Sequence, residues 1–132
     1  MAAAIPDAYL DLFTTKVAFA HLGTISADGG PQVTPVWFDY DGGKVRINSA
    51  RGRAKDRNME RERRVALSII DPENPYRHVA VRGRIVEITE EGASDHIDRL
   101  AKKYLGKDKY PFGRPGEVRV TYVIEPTSVS AM

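Results

Sequence analysis

Ten residues, Ser49-Ala-Arg-Gly-Arg-Ala-Lys-Asp-Arg-Asn58, carry the chain's best candidate for chemistry, an anion site. Arg53 offers a planar fork of N–H donors and Lys55 a compact point charge, two forms in which side chains hold phosphate. Gly52 precedes them, where a residue without a Cβ lets a phosphate approach the backbone. A helix starting near Ala54 aims its free N–H groups and positive dipole end at the same place. Between Arg51 and Arg64 seven Lys/Arg face three Asp/Glu, an excess of +4 in a chain of net charge +2, so the remainder carries −2. The same charges also suit a solvated helix whose acids pair with arginines one turn away. A Walker loop is excluded, because GxxxxGK[ST] does not occur.

Other chemistries find less support. Cysteine is absent, which rules out disulfides, thiolate catalysis and Cys-ligated zinc. His21, His78 and His96 lie far apart without HxxxH or HExxH spacing, so no metal site is expected. Neither GxSxG nor GxGxxG occurs. His21, inside an apolar run, reads as a hydrogen-bonded interior residue. His78, close to Tyr76 and after a proline-rich loop, is the more interesting histidine. Trp37 reads first as a core residue and second, beside Pro35, as the wall of a flat heteroaromatic ligand.

The elements that must position these residues follow from periodicity. Val45, Ile47 and Ser49 alternate with Lys44, Arg46 and Asn48, a half-buried strand running into the basic segment, and a helix is expected from about Ala54 to Arg64. Upstream, Asp7 to about Phe13 reads as a short helix with Tyr9, Leu10 and Phe13 on one side. Val17 to Ile25 is apolar on both faces and reads as a central strand. Asp28-Gly29-Gly30 turns the chain, and Gln32 to Tyr40 returns it as a second strand. Pro35 cannot donate to a ladder, so it marks an edge, a bulge or an opening towards a ligand. Asp41-Gly42-Gly43 leads into the third strand, so the three are expected to form a meander.

Downstream, residues 65–70 read as a buried strand, and the loop from Asp71 to Pro75 is closed to helix by its two prolines. In the strand from His78 to Ile88, Val79 and Val81 share one phase and Val86 and Ile88 the other, which predicts a β-bulge near Gly83. Ala93 to Tyr104 reads as a helix with Ile97, Leu100, Ala101 and Tyr104 on one face and Gly106 as its stop. A Gly/Pro-containing loop then leads to a last strand, Val118 to Ile124, with Arg119 and Thr121 opposite Val118, Val120, Tyr122 and Ile124. Six strands, three short helices and no alternating βαβ pattern predict a mainly β (α+β) fold, a six-stranded antiparallel barrel. The 132 residues suit one domain. No stretch reads as a leader or a bilayer span, so a cytoplasmic protein is expected.

Arg53-Ala-Lys-Asp-Arg-Asn58 after a strand resembles the RxKxRN segment of the split-barrel flavin and deazaflavin oxidoreductases related to pyridoxamine-phosphate oxidase, in the branch that uses coenzyme F420. The resemblance extends over nearly the whole chain, including Asp28-Gly-Gly-Pro-Gln32 and Val36-Trp-Phe-Asp-Tyr-Asp-Gly42. It implies an FMN-binding-like split β-barrel and a homodimer with the cofactor between protomers. Arg53 and Lys55, with Asn58, then meet the phosphate, and the ring lies near Pro35, Val36, Trp37, Asn48, Ser49 and Ala50. Arg51, Arg57 and Arg61 are placed to meet an acidic tail, and Tyr76 and His78, from the other protomer, are the candidate catalytic residues. The implied reaction is hydride transfer from reduced F420 to an electron-poor conjugated small molecule.

Three other readings compete. The same fold binding FMN keeps the architecture and changes the chemistry. Pyridoxamine-phosphate oxidase itself is not expected, because the chain ends soon after the last strand without that enzyme's additional C-terminal segment. Nucleic-acid binding through the 51–64 helix is disfavoured by interleaved acids, few aromatics and a net charge of only +2. A non-catalytic cofactor carrier is the third.

Overall fold

The period-two runs become strands of one antiparallel sheet in the computed structural model, which describes residues 2–132 and leaves Met1 outside. The strands are β1 (Ala20–Ile25), β2 (Pro31–Val36), β3 (Phe38–Asp41), β4 (Lys44–Ala50), β5 (Arg64–Asp71), β6 (Asn74–Thr89) and β7 (Arg119–Ala131), in the order β2-β1-β5-β6-β7-β4-β3. There are seven strands, not the expected six. The run from Gln32 to Tyr40 breaks at Trp37 into β2 and β3, which occupy opposite edges of the sheet although one residue separates them. The expected meander is therefore two hairpins, β1–β2 and β3–β4, on opposite edges. A sheet whose two edges are joined by a single residue must curl until they meet, and the product is a split barrel.

The physical reason for the break is visible around Trp37. Pro35 lies in the edge strand β2, as a residue without an N–H must. Beyond it, the Tyr104 hydroxyl accepts from the Phe38 N–H at 3.1 Å and donates to the Ala18 carbonyl at 2.6 Å. A side chain thus supplies hydrogen bonding that a continuous ladder would have given.

Inside the curl, Leu22, Phe38, Val45, Ile47, Leu67, Ile69, Val79, Val81, Tyr122 and Ile124 form the core, closed by Leu12, Phe13 and Met59. The β6–β7 register shifts between Arg82 and Gly83 and again between Ile85 and Glu87, as the phase change in the sequence predicts. A Cβ at Gly83 would stand 2.6 Å from Ile124 Cγ2 and 3.0 Å from the Glu125 carbonyl oxygen, so this glycine is needed for close approach. The last strand continues past the expected end at Ile124, because Pro126 falls opposite Gly83 at the register shift, where the ladder tolerates a missing donor.

The N-terminal helix is a 3₁₀ turn (Asp7–Tyr9) followed by α1 (Asp11–Thr14), and α2 (Ala54–Arg61) stops before Arg64 opens β5. The helix α3 (Ala93–Leu105) covers β4 and β7 and ends at Gly106, φ 71°, with the Gly106 N–H on the Lys102 carbonyl. Arg77 of β6 fixes α1 to the sheet. Its guanidinium grips Asp11 at 2.6 and 3.0 Å, Asp71 at 2.9 Å and the Ala8 carbonyl at 2.6 Å. Lys16 completes the clamp on Asp71 and Glu73. Among the described residues no helix is long and apolar enough to cross a membrane.

Candidate functional site

Where β2 gives way to β3, a cavity of about 180 Å³ opens between the sheet, α2, α3 and the 107–117 loop. Pro35, Val36 and Trp37 form one wall, Ile97 and Leu100 of α3 another, and Phe19, Tyr110 and Phe112 the rim. Asn48, Arg53, Lys55 and Arg119 supply the polar wall. Trp37 is held by its neighbours, stacked on Tyr104 at 5.2 Å and 7° and met edge-on by Tyr110 at 6.0 Å. Tyr104 is half-buried, and this desolvation pushes its hydroxyl up to about 12 despite the Phe38 backbone contact that opposes the shift, so it remains a neutral hydrogen-bonding group.

Two guanidinium groups meet one carboxylate on the polar wall, with the Lys55 ammonium beside them. Arg53 contacts Glu117 Oε2 at 3.2 Å, and Arg119 contacts Glu117 Oε1 at 2.9 Å while lying over the Tyr110 ring at 5.0 Å. Burial tends to raise the Glu117 pKa, but the two guanidinium groups outweigh it and hold the carboxyl below its usual range. Lys55 has no ion pair among the described residues. Burial, then the charges of Arg53 and Arg119, push its ammonium below the ordinary lysine range. A surplus of partly buried positive charge is costly alone and is relieved by a bound anion.

The structure brings Pro35, Val36, Trp37, Asn48, Arg53 and Lys55 together on this cavity. The other sequence-predicted residues lie elsewhere. Ser49 shares the inward face of β4 with Val45 and Ile47, and Ala50 is buried behind Arg51 and Gly52, in a neighbouring hollow. Asn58 is an anchor, donating to Thr24 and Gln32 at 3.1 and 3.2 Å. Arg57 turns back to the Gly52 carbonyl, and Arg61 bonds the Ile25 carbonyl and Asn58. Arg51 is occupied by Glu60, Glu90 and Asp56. Asp56 also receives the Gly52 N–H at 3.0 Å and the Tyr122 hydroxyl, so that backbone donor is already satisfied. Tyr76, 84% exposed, and His78 stand on the β5–β6 hairpin and line no part of the cavity.

Sequence reasoning missed Phe19, Ile97, Leu100, Tyr110, Phe112 and Arg119 as lining residues. Two aromatics within a Gly/Pro loop, Tyr110 and Phe112, were the available signal, since such a loop has no core of its own to bury them. Arg119 was legible as facing away from Val120 and Tyr122, but only the pairing Ala50↔Arg119 and Asn48↔Thr121 puts it beside Asn48.

A curled antiparallel sheet with a cavity beside its split, walled by aromatics and cations, is the architecture of split-barrel oxidoreductases of the flavin-binding type. Residues 5–132 match the pyridoxamine 5'-phosphate oxidase family, and the chain belongs to it. The structure of an F420 reductase is 34% identical and superposes with a TM-score of 0.84, covering 96% of this chain and 98% of that one. The fold is shared with a conserved hypothetical protein of Mycobacterium tuberculosis (21% identity, TM-score 0.73, 97% of this chain and 84% of that one). It is shared too with HupZ of Group A Streptococcus (19% identity, TM-score 0.69, 97% and 94%). No curated protein matches the chain.

Proposed function

We propose that the protein is a coenzyme F420-dependent reductase acting on electron-poor conjugated small molecules. The observation that carries this reading is the junction, in one cavity, of the Trp37 wall with a cationic wall whose Lys55 lacks a partner. The 34% identity to an F420 reductase over nearly the full chain supports the deazaflavin over other heteroaromatic cofactors. The residues fit such a group: Arg53, Lys55 and Arg119 suit an anionic phosphodiester, and Pro35, Val36 and Trp37 suit a flat ring. Reduced F420 supplies a hydride, which with a proton saturates the substrate's conjugated double bond. Phe19, Tyr110 and Phe112 orient a planar substrate at the rim and exclude water.

A second copy of the chain completes the site in this reading. Outside the barrel, β1, β5 and β6 form hollows of about 520 and 560 Å³ floored by small residues, Gly23, Ala66, Ser68 and Ala80 among them. Packing two such faces together brings Tyr76 and His78 to the partner's cavity as proton donors. Cytoplasmic location follows from the cofactor, and nucleic-acid binding is disfavoured because Arg51, Arg57, Arg61 and Arg64 are turned onto their own chain.

Titration with oxidised F420 and, separately, FMN tests the assignment, following quenching of Trp37, the sole tryptophan. Tighter binding of F420, weakened about tenfold or more in Lys55→Ala, is expected for the loss of one charge-assisted contact. Preference for FMN would replace the deazaflavin by a flavin, and binding of neither would end the cofactor reading.

A further inference from the structure

Behind the cationic wall a buried polar line ends at Arg119. His96 of α3 is 1% exposed. Its Nδ1 is 2.9 Å from Thr121 Oγ1 and 3.2 Å from Asn48 Nδ2. Its Nε2 is 3.3 Å from Asp39 Oδ2, close enough for attraction though not aligned as a hydrogen bond. Asn48 accepts from Arg119 Nε at 2.9 Å and donates to the Ala93 carbonyl at 2.8 Å.

The donors and acceptors in this line favour one arrangement of protons. A guanidinium only donates, so the Asn48 atom facing Arg119 is the carbonyl oxygen and its amide nitrogen faces α3. One of its hydrogens goes to the Ala93 carbonyl, and for the other His96 Nδ1 at 3.2 Å is nearer than Thr121 Oγ1 at 3.5 Å, an arrangement in which Nδ1 presents its lone pair. The proton of the neutral ring then sits on Nε2, towards Asp39.

We propose that His96 is a positioning residue for the anion site: its neutral form orients the Asn48 amide so that Arg119 Nε is held on the cavity wall, and protonation loosens that hold. The inference rests on the cavity's being the anion-binding site of the proposed function. With a proton on Nδ1, two donors would face each other across the His96–Asn48 contact. Any shift of the amide away from that contact weakens its oxygen's hold on Arg119 Nε, while Glu117 keeps the guanidinium's other edge.

Asp39 of β3 stands beside His96 Nε2, and Glu87 of β6, Glu91 before α3, Arg46 of β4 and Arg99 of α3 line the hollow that His96 borders. Asp41 and Lys44, of opposite sign, stand in the same hollow of about 320 Å³.

The test uses the ¹⁵N-labelled protein without ligand, from pH 8 to 5. At pH 8 the His96 nitrogens should report the Nε2–H tautomer, and on acidification the Arg119 Nε–H signal should shift with the His96 midpoint. In His96→Asn, whose side-chain oxygen replaces Nδ1 as an acceptor that does not titrate, the Arg119 signal should stay in place. Oxidised F420 should then lose several-fold more affinity between pH 8 and 5 in the wild type than in His96→Asn. An Nδ1–H tautomer at pH 8 overturns the proposal. So does an Arg119 signal that stays still while His96 titrates, which would mean that the Thr121 hydroxyl absorbs the change. Equal pH dependence of F420 affinity in both proteins also overturns it. Failure of F420 to bind at any pH sinks the proposed function instead, and the ligand-free spectra still decide the role of His96.

Discussion

Around Arg77 each charge has its counterpart, with Asp11, Asp71 and Glu73 meeting Arg77 and Lys16. On the cavity wall Arg53 and Arg119 share Glu117, and Lys55 has no ion pair among the described residues. The two regions use the same residue types. Balance makes the first a staple that holds the N-terminal helix to the sheet, and surplus suits the second to an anion in the proposed function. The difference also shows in the titrations: Asp11 and Asp71 of the clamp are stabilised in their charged form, whereas Lys55 is driven towards losing its charge.

The comparison predicts opposite consequences for removing a cation. Lys55→Ala should cost about tenfold or more in F420 affinity and leave Tm unchanged or raised, because an unfavourable buried charge is removed. Arg77→Ala should lower Tm by several degrees and leave F420 affinity within a factor of about two, since it leaves Asp71 and Asp11 short of a partner. Thermal melts and fluorescence titrations of the two variants read both effects. If Arg77→Ala weakens binding as much as Lys55→Ala, the division between staple and receptor is lost.

Acid should separate the regions next. Asp71 is held at about 2, first by the Glu73 N–H and then, against its burial, by Arg77 and Lys16. Its folded value lies below the ordinary 3.8, so the stability it contributes is complete above that value and is lost as pH falls from about 4 to 2. Asp39 is also held at about 2, where its contacts with His96 and Arg46 outweigh burial, and it adds to the same window. Tm should therefore be level from pH 7 to about 5 and drop below 4, with a shallower drop in Asp71→Asn. At the alkaline end F420 affinity should decline before pH 10.5, the ordinary lysine value, as Lys55 loses its proton, and Lys55→Ala should lack that decline.

The smallest effect is expected at Glu117. Glu117→Gln keeps an acceptor for Arg53 and Arg119 and removes the wall's carboxylate charge. F420 affinity should rise a few-fold with a steeper dependence on salt. A weakened affinity would mean that the carboxylate chiefly holds the two guanidinium groups in position.

How far the sequence reached varies between regions for physical reasons. Alternation placed β4, β5 and most of β6, and the phase change at Gly83 announced the bulge, because a period of two responds directly to one inserted residue. The Trp37 break was hidden, since Gln32 to Tyr40 stays strand-like throughout and the sheet's closure comes from Tyr104, distant in sequence. The basic segment read as one cluster, yet the fold divides it: Arg53 and Lys55 face the cavity, and Arg51, Arg57 and Arg61 bond their own backbone or acids.

The sequence by itself determined the mainly β architecture, the turns and the presence of an Arg-x-Lys pair at the start of a helix. These are local properties, set by periodicity, turn chemistry and neighbouring side chains. Only the tertiary structure decided which cations lack a partner and that Arg119 stands beside Asn48 and faces a loop carrying Tyr110 and Phe112. Strand pairing and helix packing bring those groups together from positions some seventy residues apart, as in the Asn48–Arg119 contact. Charge balance at a site is a sum over such neighbours, and no single stretch of chain contains it.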